Sequence, residues 1–169
     1  MFTVRHEIPE DILAIRRVTE MAFNDKTTAD LVDALRTNGH SVLSLVAIED
    51  EDVIGHVMFS LVKIVSDTES FDAISLAPMA VLPNLQRQGI GSELVRRGLS
   101  ELRQKDYGVC VVLGHAEFYP RFGFLPARQF KIRCKYDVPD EAFMVTELRK
   151  GALAKIRGTV EYSSEFDTV

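Results

Sequence analysis

The chain has 169 residues, 46% of them hydrophobic, which suffices for one compact domain with a packed core and leaves too little for a second. Its formal charge of −5 and pI near 5.4 argue against a polyanion as the main partner, because nucleic-acid binders present a dominant basic face. Its two cysteines, Cys110 and Cys134, stand outside any metal or disulfide spacing, "MFTVRHEIPED" lacks the apolar core of a secretory signal, and no apolar run nears the ~20 residues of a membrane span, so the reading is a cytoplasmic protein without a membrane partner.

In chain order, "FTVRHEI" alternates apolar and polar residues and meets Pro9, which suits a first helical turn because its missing N–H costs nothing there. A helix over about 10–23 puts Ile12, Ile15, Val18 and Ala22 on one stripe, with Arg16, Arg17 and Glu20 outside it. A second helix over about 28–37 follows, with Thr27 and Asp30 at capping-box spacing and Asn38-Gly39 closing it. The β-rich runs 42–48 and 53–64 are joined by "EDED", an exposed hairpin turn. A further strand, 71–83, contains Pro78, which cannot donate to a ladder and so implies an edge, a bulge or a splay. After Gly89 the period changes, and Ile90, Leu94, Val95, Gly98, Leu99 and Leu102 share the face of the best-defined helix. "VCVVLG", 109–114, reads as a strand buried on both faces. The short segment "EFYPRFGF", counted as a helix in the element order, strands near 129–135 and 142–148, and a polar tail complete the chain. The order β-α-α-β-β-β-α-β-α-β predicts an α/β fold, a mixed sheet with helices on both faces.

The glycine pair in "NLQRQGIGSEL", 84–94, needs a reason, since glycine costs a helix about 1 kcal/mol relative to alanine. A helix start carries amides with no internal partner and a partial positive charge, and is therefore an anion site. Gly89 and Gly91 would let a diphosphate approach, Ile90 would turn inward as an anchor, and Arg87, Gln88 and Ser92 would add donors. The alternative is that the glycines only permit tight packing where loop meets helix. A Walker A loop is excluded by the missing Gly-Lys-Ser/Thr, and the dinucleotide fingerprint by Leu94 where its third glycine belongs.

Gln86-Arg87-Gln88-Gly89-Ile90-Gly91 resembles the Q/R-x-x-G-x-G/A motif of the GNAT superfamily of N-acetyltransferases, which holds the diphosphate of acetyl-coenzyme A. "APMAVLP" is similar to the family's fourth strand, and "FYPRFGF" to the Y-x-x-x-G-F segment after its fifth. The similarity covers roughly residues 2–126, most strongly 74–126, and "GHAEFYPRFGF" resembles the bacterial branch called YhbS-like. The resemblance implies a single acetyltransferase domain over 1–169, with a motif core at 74–126 and C-terminal strands and tail at 127–169. It also implies a mostly antiparallel sheet whose fourth and fifth strands splay apart, with the pantetheine arm paired to backbone at Met79, Ala80 and Val81. One N–H of that stretch is expected to hold the thioester oxygen.

The implied reaction is direct transfer of acetyl from acetyl-coenzyme A to a primary amine, with coenzyme A leaving as a thiolate. Tyr119 matches the family's general-acid tyrosine; packing among Phe118, Phe122 and Phe124 is the competing account, and Pro120 departs from the usual residue there. The fifth strand carries no carboxylate where some members place a base, so His115 at its end, or a water chain, takes that part. His56 reads as a core or sheet-surface histidine, and Glu117 and Asp25 are weaker candidates still. Asp25 and Asp30 either attract a cationic acceptor or are solvated loop charges. The acceptor class is a small-molecule or peptide amine. The rival reading, favoured by the missing carboxylate, is an acyl-coenzyme A-binding sensor without catalysis. A nucleic-acid module is disfavoured, because Glu93 with Arg97 and Glu101 with Lys105 make ordinary helix-face pairs. A two-fold homodimer is the assembly that soluble proteins adopt most often.

Overall fold

A computed structural model describes residues 1–168. The chain divides into two compact units, one made of Met1–Ser60, Ala77–Ser100 and the segment from Ser164 onward, the other of Leu61–Leu76 and Glu101–Ser163.

The first unit begins with β1 (Thr3–His6), a 3-10 turn at Pro9–Asp11, α1 (Ile12–Phe23) and α2 (Thr27–Thr37). Ile15 and Val18 are buried as the stripe requires, and Asn24, at φ 55°, ends α1. α2 corrects the expected cap: Thr27 is already inside the helix, and the Asp25 carboxylate accepts the Thr28 N–H at 3.2 Å. The helix closes as expected. Gly39, at φ 75°, lets the His40 N–H reach the Leu35 carbonyl at 2.9 Å.

β2 (Ser41–Glu49) pairs antiparallel with β1 and with β3 (Asp52–Val65). Asp50 and Glu51 both have positive φ, 50° and 69°, the geometry of a two-residue hairpin turn whose twist matches that of its strands. In α3 (Ile90–Leu102), Ile90, Leu94, Val95, Leu99 and Leu102 are all buried. Gly98 lies so close to Phe59 of β3 that an added Cβ would sit 2.3 Å from its ring. Gly55 and Phe59 thus face α3. His56, of opposite parity on β3, points to the other face, where Glu7 binds Arg36 of α2. Helices therefore cover both faces of this part of the sheet.

β4 (Ser70–Val81) ends in the first unit and begins in the second. There it runs parallel to β5 (Val109–Leu113), from Ile74↔Cys110 to Leu76↔Val112. β8 (Phe143–Glu147) is antiparallel to β5 and carries β6 (Leu125–Pro126) on its outer edge. β7 (Ile132–Cys134) pairs with β9 (Gly158–Glu161), which returns to the end of β3. The strands hydrogen-bond in the order β1-β2-β3-β4-β5-β8-β6, mostly antiparallel with β4–β5 parallel. Val62, Val109, Val111, Ile132, Val145 and Val160 build the core of the second unit.

Three expectations change. The helix counted after the fifth strand is a 3-10 turn, Tyr119–Phe122, since Pro120 withholds an amide and fixes φ. The third strand of the apolar middle stops at Val81, and Pro83 opens a separate turn, Pro83–Leu85. The polar tail contains β9, and beyond it Phe166 is buried while Glu165 accepts from Asn38 and His40 at 2.7 and 2.8 Å. Among the described residues, no helix is long and apolar enough to cross a membrane.

Candidate functional site

The first unit delivers β4 into α3 through a turn that its own backbone holds open. The Leu82 N–H donates to the Ile54 carbonyl at 3.0 Å, anchoring the end of β4 to β3. Gln86 Nε2 then donates back to the Val81 carbonyl at 3.1 Å, folding the loop onto the strand it has just left. Arg87 and Gly89 both take left-handed backbone, φ 65° and 88°. At Gly89 an added Cβ would meet no heavy atom within 4 Å, so the glycine answers a conformational need and borders open space.

Ile90 is 3% exposed and anchors the helix start in the core, where Gly55 makes room for it: a Cβ there would lie 3.0 Å from Ile90 Cγ2. The first bond inside α3 runs from the Glu93 N–H to the Gly89 carbonyl at 3.1 Å. The amides of Ile90, Gly91 and Ser92 precede it and have no carbonyl on an earlier turn to receive them. Arg87 and Gln88 are exposed and Ser92 is buried, so the turn offers main-chain donors flanked by one cation and an amide. Upstream, Ala80 is buried between half-buried Met79 and Val81. The β4–β5 ladder stops at Leu76, and Pro78, with no N–H to give, follows two residues later.

In the second unit β5 runs out at Leu113 into a turn of aromatic residues. The His115 carbonyl accepts the N–H groups of Phe118 and Tyr119 at 3.1 and 3.4 Å, while its side chain is exposed. The Tyr119 ring is 6% exposed and meets Phe118 and Phe124 edge-on, with centroids 5.0 and 5.6 Å away. Burial pushes its phenol up to about 12, so it is protonated throughout the neutral range. Gly114 is what admits this ring, since a Cβ at that position would lie 2.5 Å from Tyr119 Cε2. Gly123, at φ 93°, ends the turn.

The other titratable candidates are engaged elsewhere. His56 is fully buried with Nε2 2.8 Å from Ser44 Oγ, and burial pushes it down to about 4 and keeps it neutral. Burial alone would raise the Glu7 pKa, but hydrogen bonds from Arg36 and Ser44 outweigh it and hold the carboxyl below its ordinary range. Asp25 caps α2, Asp30 pairs with Arg16 at 2.7 Å, and Glu117 is exposed. Among the described residues, no His, Cys, Asp and Glu cluster could hold a metal ion.

Two contributors escaped the sequence reading. Gln86 stands in the motif, but its link to Val81 has no signature beyond an amide five residues downstream. Gly114 looked like the end of a strand; the signal was a glycine five residues before a buried aromatic.

Residues 40–126 match the family model described as an acetyltransferase (GNAT) domain. The chain is 37% identical over 165 residues to an uncharacterized N-acetyltransferase, YhbS, of Escherichia coli K12, covering 97% of this chain and 98% of the relative. A crystal structure of E. coli YhbS in complex with CoA superposes with a TM-score of 0.91 at 36% identity, covering 98% of this chain and 92% of the other. A GNAT family acetyltransferase from Brucella melitensis, in complex with acetyl-CoA, gives 0.82 at 35% identity and covers 99% of both chains.

Proposed function

This chain belongs to the GNAT family of N-acetyltransferases, and we propose from that premise that the turn at Arg87–Ser92 receives the diphosphate of its co-substrate, acetyl-coenzyme A. The enzyme transfers the acetyl group to an amine. The carrying observation is the left-handed Gly89 facing open space immediately before three amides without intrahelical partners. Those of Ile90, Gly91 and Ser92 donate to phosphate oxygens; Arg87 and Gln88 add a charge and a further donor. Both crystallised relatives contain coenzyme A or its acetyl ester, which supports the same ligand here.

Backbone of Met79, Ala80 and Val81 is proposed to pair with the pantetheine arm as an added strand, Pro78 having already interrupted the ladder. An N–H of this stretch stabilises the oxygen on which charge develops as the neutral amine attacks the acetyl carbonyl. The tetrahedral intermediate collapses with departure of the thiolate. Tyr119 serves that departure as a proton-bearing donor. With its phenol near 12 against about 8.5 for a free thiol, complete proton transfer to the leaving sulfur would be uphill. Its contribution is therefore a hydrogen bond to the leaving sulfur. His115, exposed on the same turn, is proposed to pass the amine's proton to solvent.

The acceptor is a primary amine on a small molecule or peptide, and the working assembly is a monomer or two-fold dimer. The test has two steps. Acetyl-coenzyme A at 100 times its dissociation constant should raise stability by about 2.7 kcal/mol in a thermal-shift experiment. Free thiol should then appear faster with at least one member of a panel of polyamines, aminoglycosides, amino acids and peptide N-termini. Binding without turnover on any of them would contradict the catalytic reading.

A further inference from the structure

The second unit contains a cavity of about 550 Å³ that none of the proposed acetyl-transfer residues lines. It is lined by Leu125 of β6, Val145 and Glu147 of β8, Gly123, Phe130 and Leu153. Its lining runs along the edge of β8 from Val145 to Glu147, which pairs with Val109 at the start of β5, and reaches Gly123, the residue that ends the Tyr119 turn. It opens because the β6–β8 ladder covers only Leu125↔Val145 and Pro126↔Met144. The left-handed turn at Gly123 ends that ladder, and the outer edge of β8 continues through Thr146 and Glu147 with no β6 residue opposite. Gly151, also left-handed at φ 86°, keeps its part of the lining clear, since a Cβ there would meet nothing within 4 Å.

The chemistry of the lining is one-sided. Apart from the Thr146 hydroxyl, its charged side chain is a single carboxylate, Glu147. Oε2 of that carboxylate accepts the Leu153 N–H at 2.9 Å, which fixes the side chain against the wall and leaves Oε1 for a ligand. Of the nearby cations, Arg149 is engaged with Asp106 and Arg128 with Asp140 at 3.2 Å, while Lys150 and Lys155 flank the lining residues Gly151 and Ala154. A held carboxylate at the edge of an apolar hollow, in the volume range of small-molecule sites, selects a cation with an apolar body.

We propose that this cavity is a second small-molecule site, which takes an amphiphilic organic amine with its ammonium group on Glu147 and its apolar body on Leu125, Phe130 and Leu153. The site is separate from the acetyl acceptor's. It reports to the Tyr119 turn through one residue, since Gly123 precedes Phe124, whose ring meets Tyr119.

The experiment titrates 2-phenylethylamine into the isotope-labelled full chain saturated with coenzyme A, which has no acetyl group to transfer, and follows backbone amides by NMR. Saturable shifts are expected at Gly123, Gly151 and Leu153, and none with phenylacetate, which has a similar body and the opposite charge. Glu147→Gln should weaken binding about tenfold or more, as loss of a charged hydrogen bond does. Ala154→Phe, at an exposed position on the rim, should block the site by bulk. Unchanged acetyl-coenzyme A affinity in both variants establishes that they are folded. No shifts at these amides, or equal shifts with phenylacetate, would overturn the proposal. So would a rise in the KM of the acetyl acceptor in Glu147→Gln, which would make the cavity part of the acceptor site.

Discussion

Two turns carry the proposed chemistry, and they are built by opposite means. Arg87–Ser92 is made chiefly of main chain: two left-handed residues, a buried anchor and a row of amides, flanked by the exposed side chains of Arg87 and Gln88. His115–Gly123 is made of side chains: a buried phenol wedged among phenylalanine rings, aimed by whatever packs around it. Each uses a glycine, for different reasons. Gly89 supplies a conformation and borders empty space, whereas Gly114 supplies volume, because the Tyr119 ring occupies the place of its missing Cβ. A site of backbone tolerates its neighbours and fails when a side chain enters the ligand's volume. One of packed rings fails when the packing shifts.

The largest test of this contrast is Gly89→Glu. A carboxylate facing the diphosphate should weaken acetyl-coenzyme A binding by at least about 100-fold, measured by calorimetry. Affinity within tenfold of the parent would mean that the main-chain turn is not the diphosphate site. Tyr119→Phe comes next. It should lower kcat by about 10–100-fold while leaving the dissociation constant of acetyl-coenzyme A unchanged. An equal loss in both quantities would make the ring a structural prop for the co-substrate.

Exchanging glycine for alanine sharpens the comparison further. Gly114→Ala should destabilise by about 1–3 kcal/mol, because its methyl overlaps the Tyr119 ring. The loss should shrink when Tyr119 is also alanine. Gly89→Ala should cost about 1 kcal/mol from left-handed backbone alone, with no such rescue. Denaturant midpoints of the three single variants, Gly114→Ala, Gly89→Ala and Tyr119→Ala, and of the two doubles that pair each glycine change with Tyr119→Ala decide this. A rescue at 89, or none at 114, would reverse the assignment of the two glycines.

The pH response has a definite sign. Burial raises the Tyr119 phenol from its ordinary value near 10 to about 12, so the protonated form is favoured in the folded chain. Its stabilising effect is complete below pH 10 and is lost as pH rises toward 12. The kcat profile should therefore show no falling limb from Tyr119 below about pH 11. A limb near pH 9 that disappears in Tyr119→Phe would contradict the burial of the ring. The smallest effect is expected at His115, whose side chain is exposed: alanine should slow turnover only a few-fold, and imidazole added to the buffer should restore the rate. A loss that added imidazole does not restore would assign His115 to holding the turn.

The same contrast governs what the sequence discloses. Gly89, Ile90 and Gly91 were legible because a period change marks where β4 gives way to α3, and because conformation at a helix start depends on a few adjacent residues. The buried stripes of α1 and α3 and the Asp50–Glu51 hairpin were legible for the same local reason. The cap of α2 was misplaced by two residues, since Thr27 and Asp25 both precede an apolar run and only the fold chooses between them. In the C-terminal third, β7 and β8 fall on the expected strands near 129–135 and 142–148, while β6 and β9 were opaque. β6 is two residues long and β9 only four, each held by partners far away in sequence, so neither shows the alternation that reveals a strand. Gly114 and Gln86 were hidden likewise, for what they touch is decided by packing and loop closure.

The most direct test of the central claim is a crystal structure of the chain with acetyl-coenzyme A. The account predicts diphosphate oxygens within about 3 Å of the amides of Ile90, Gly91 and Ser92, the distance of a charge-assisted hydrogen bond. A diphosphate bound away from this turn, with those amides facing solvent, would contradict it.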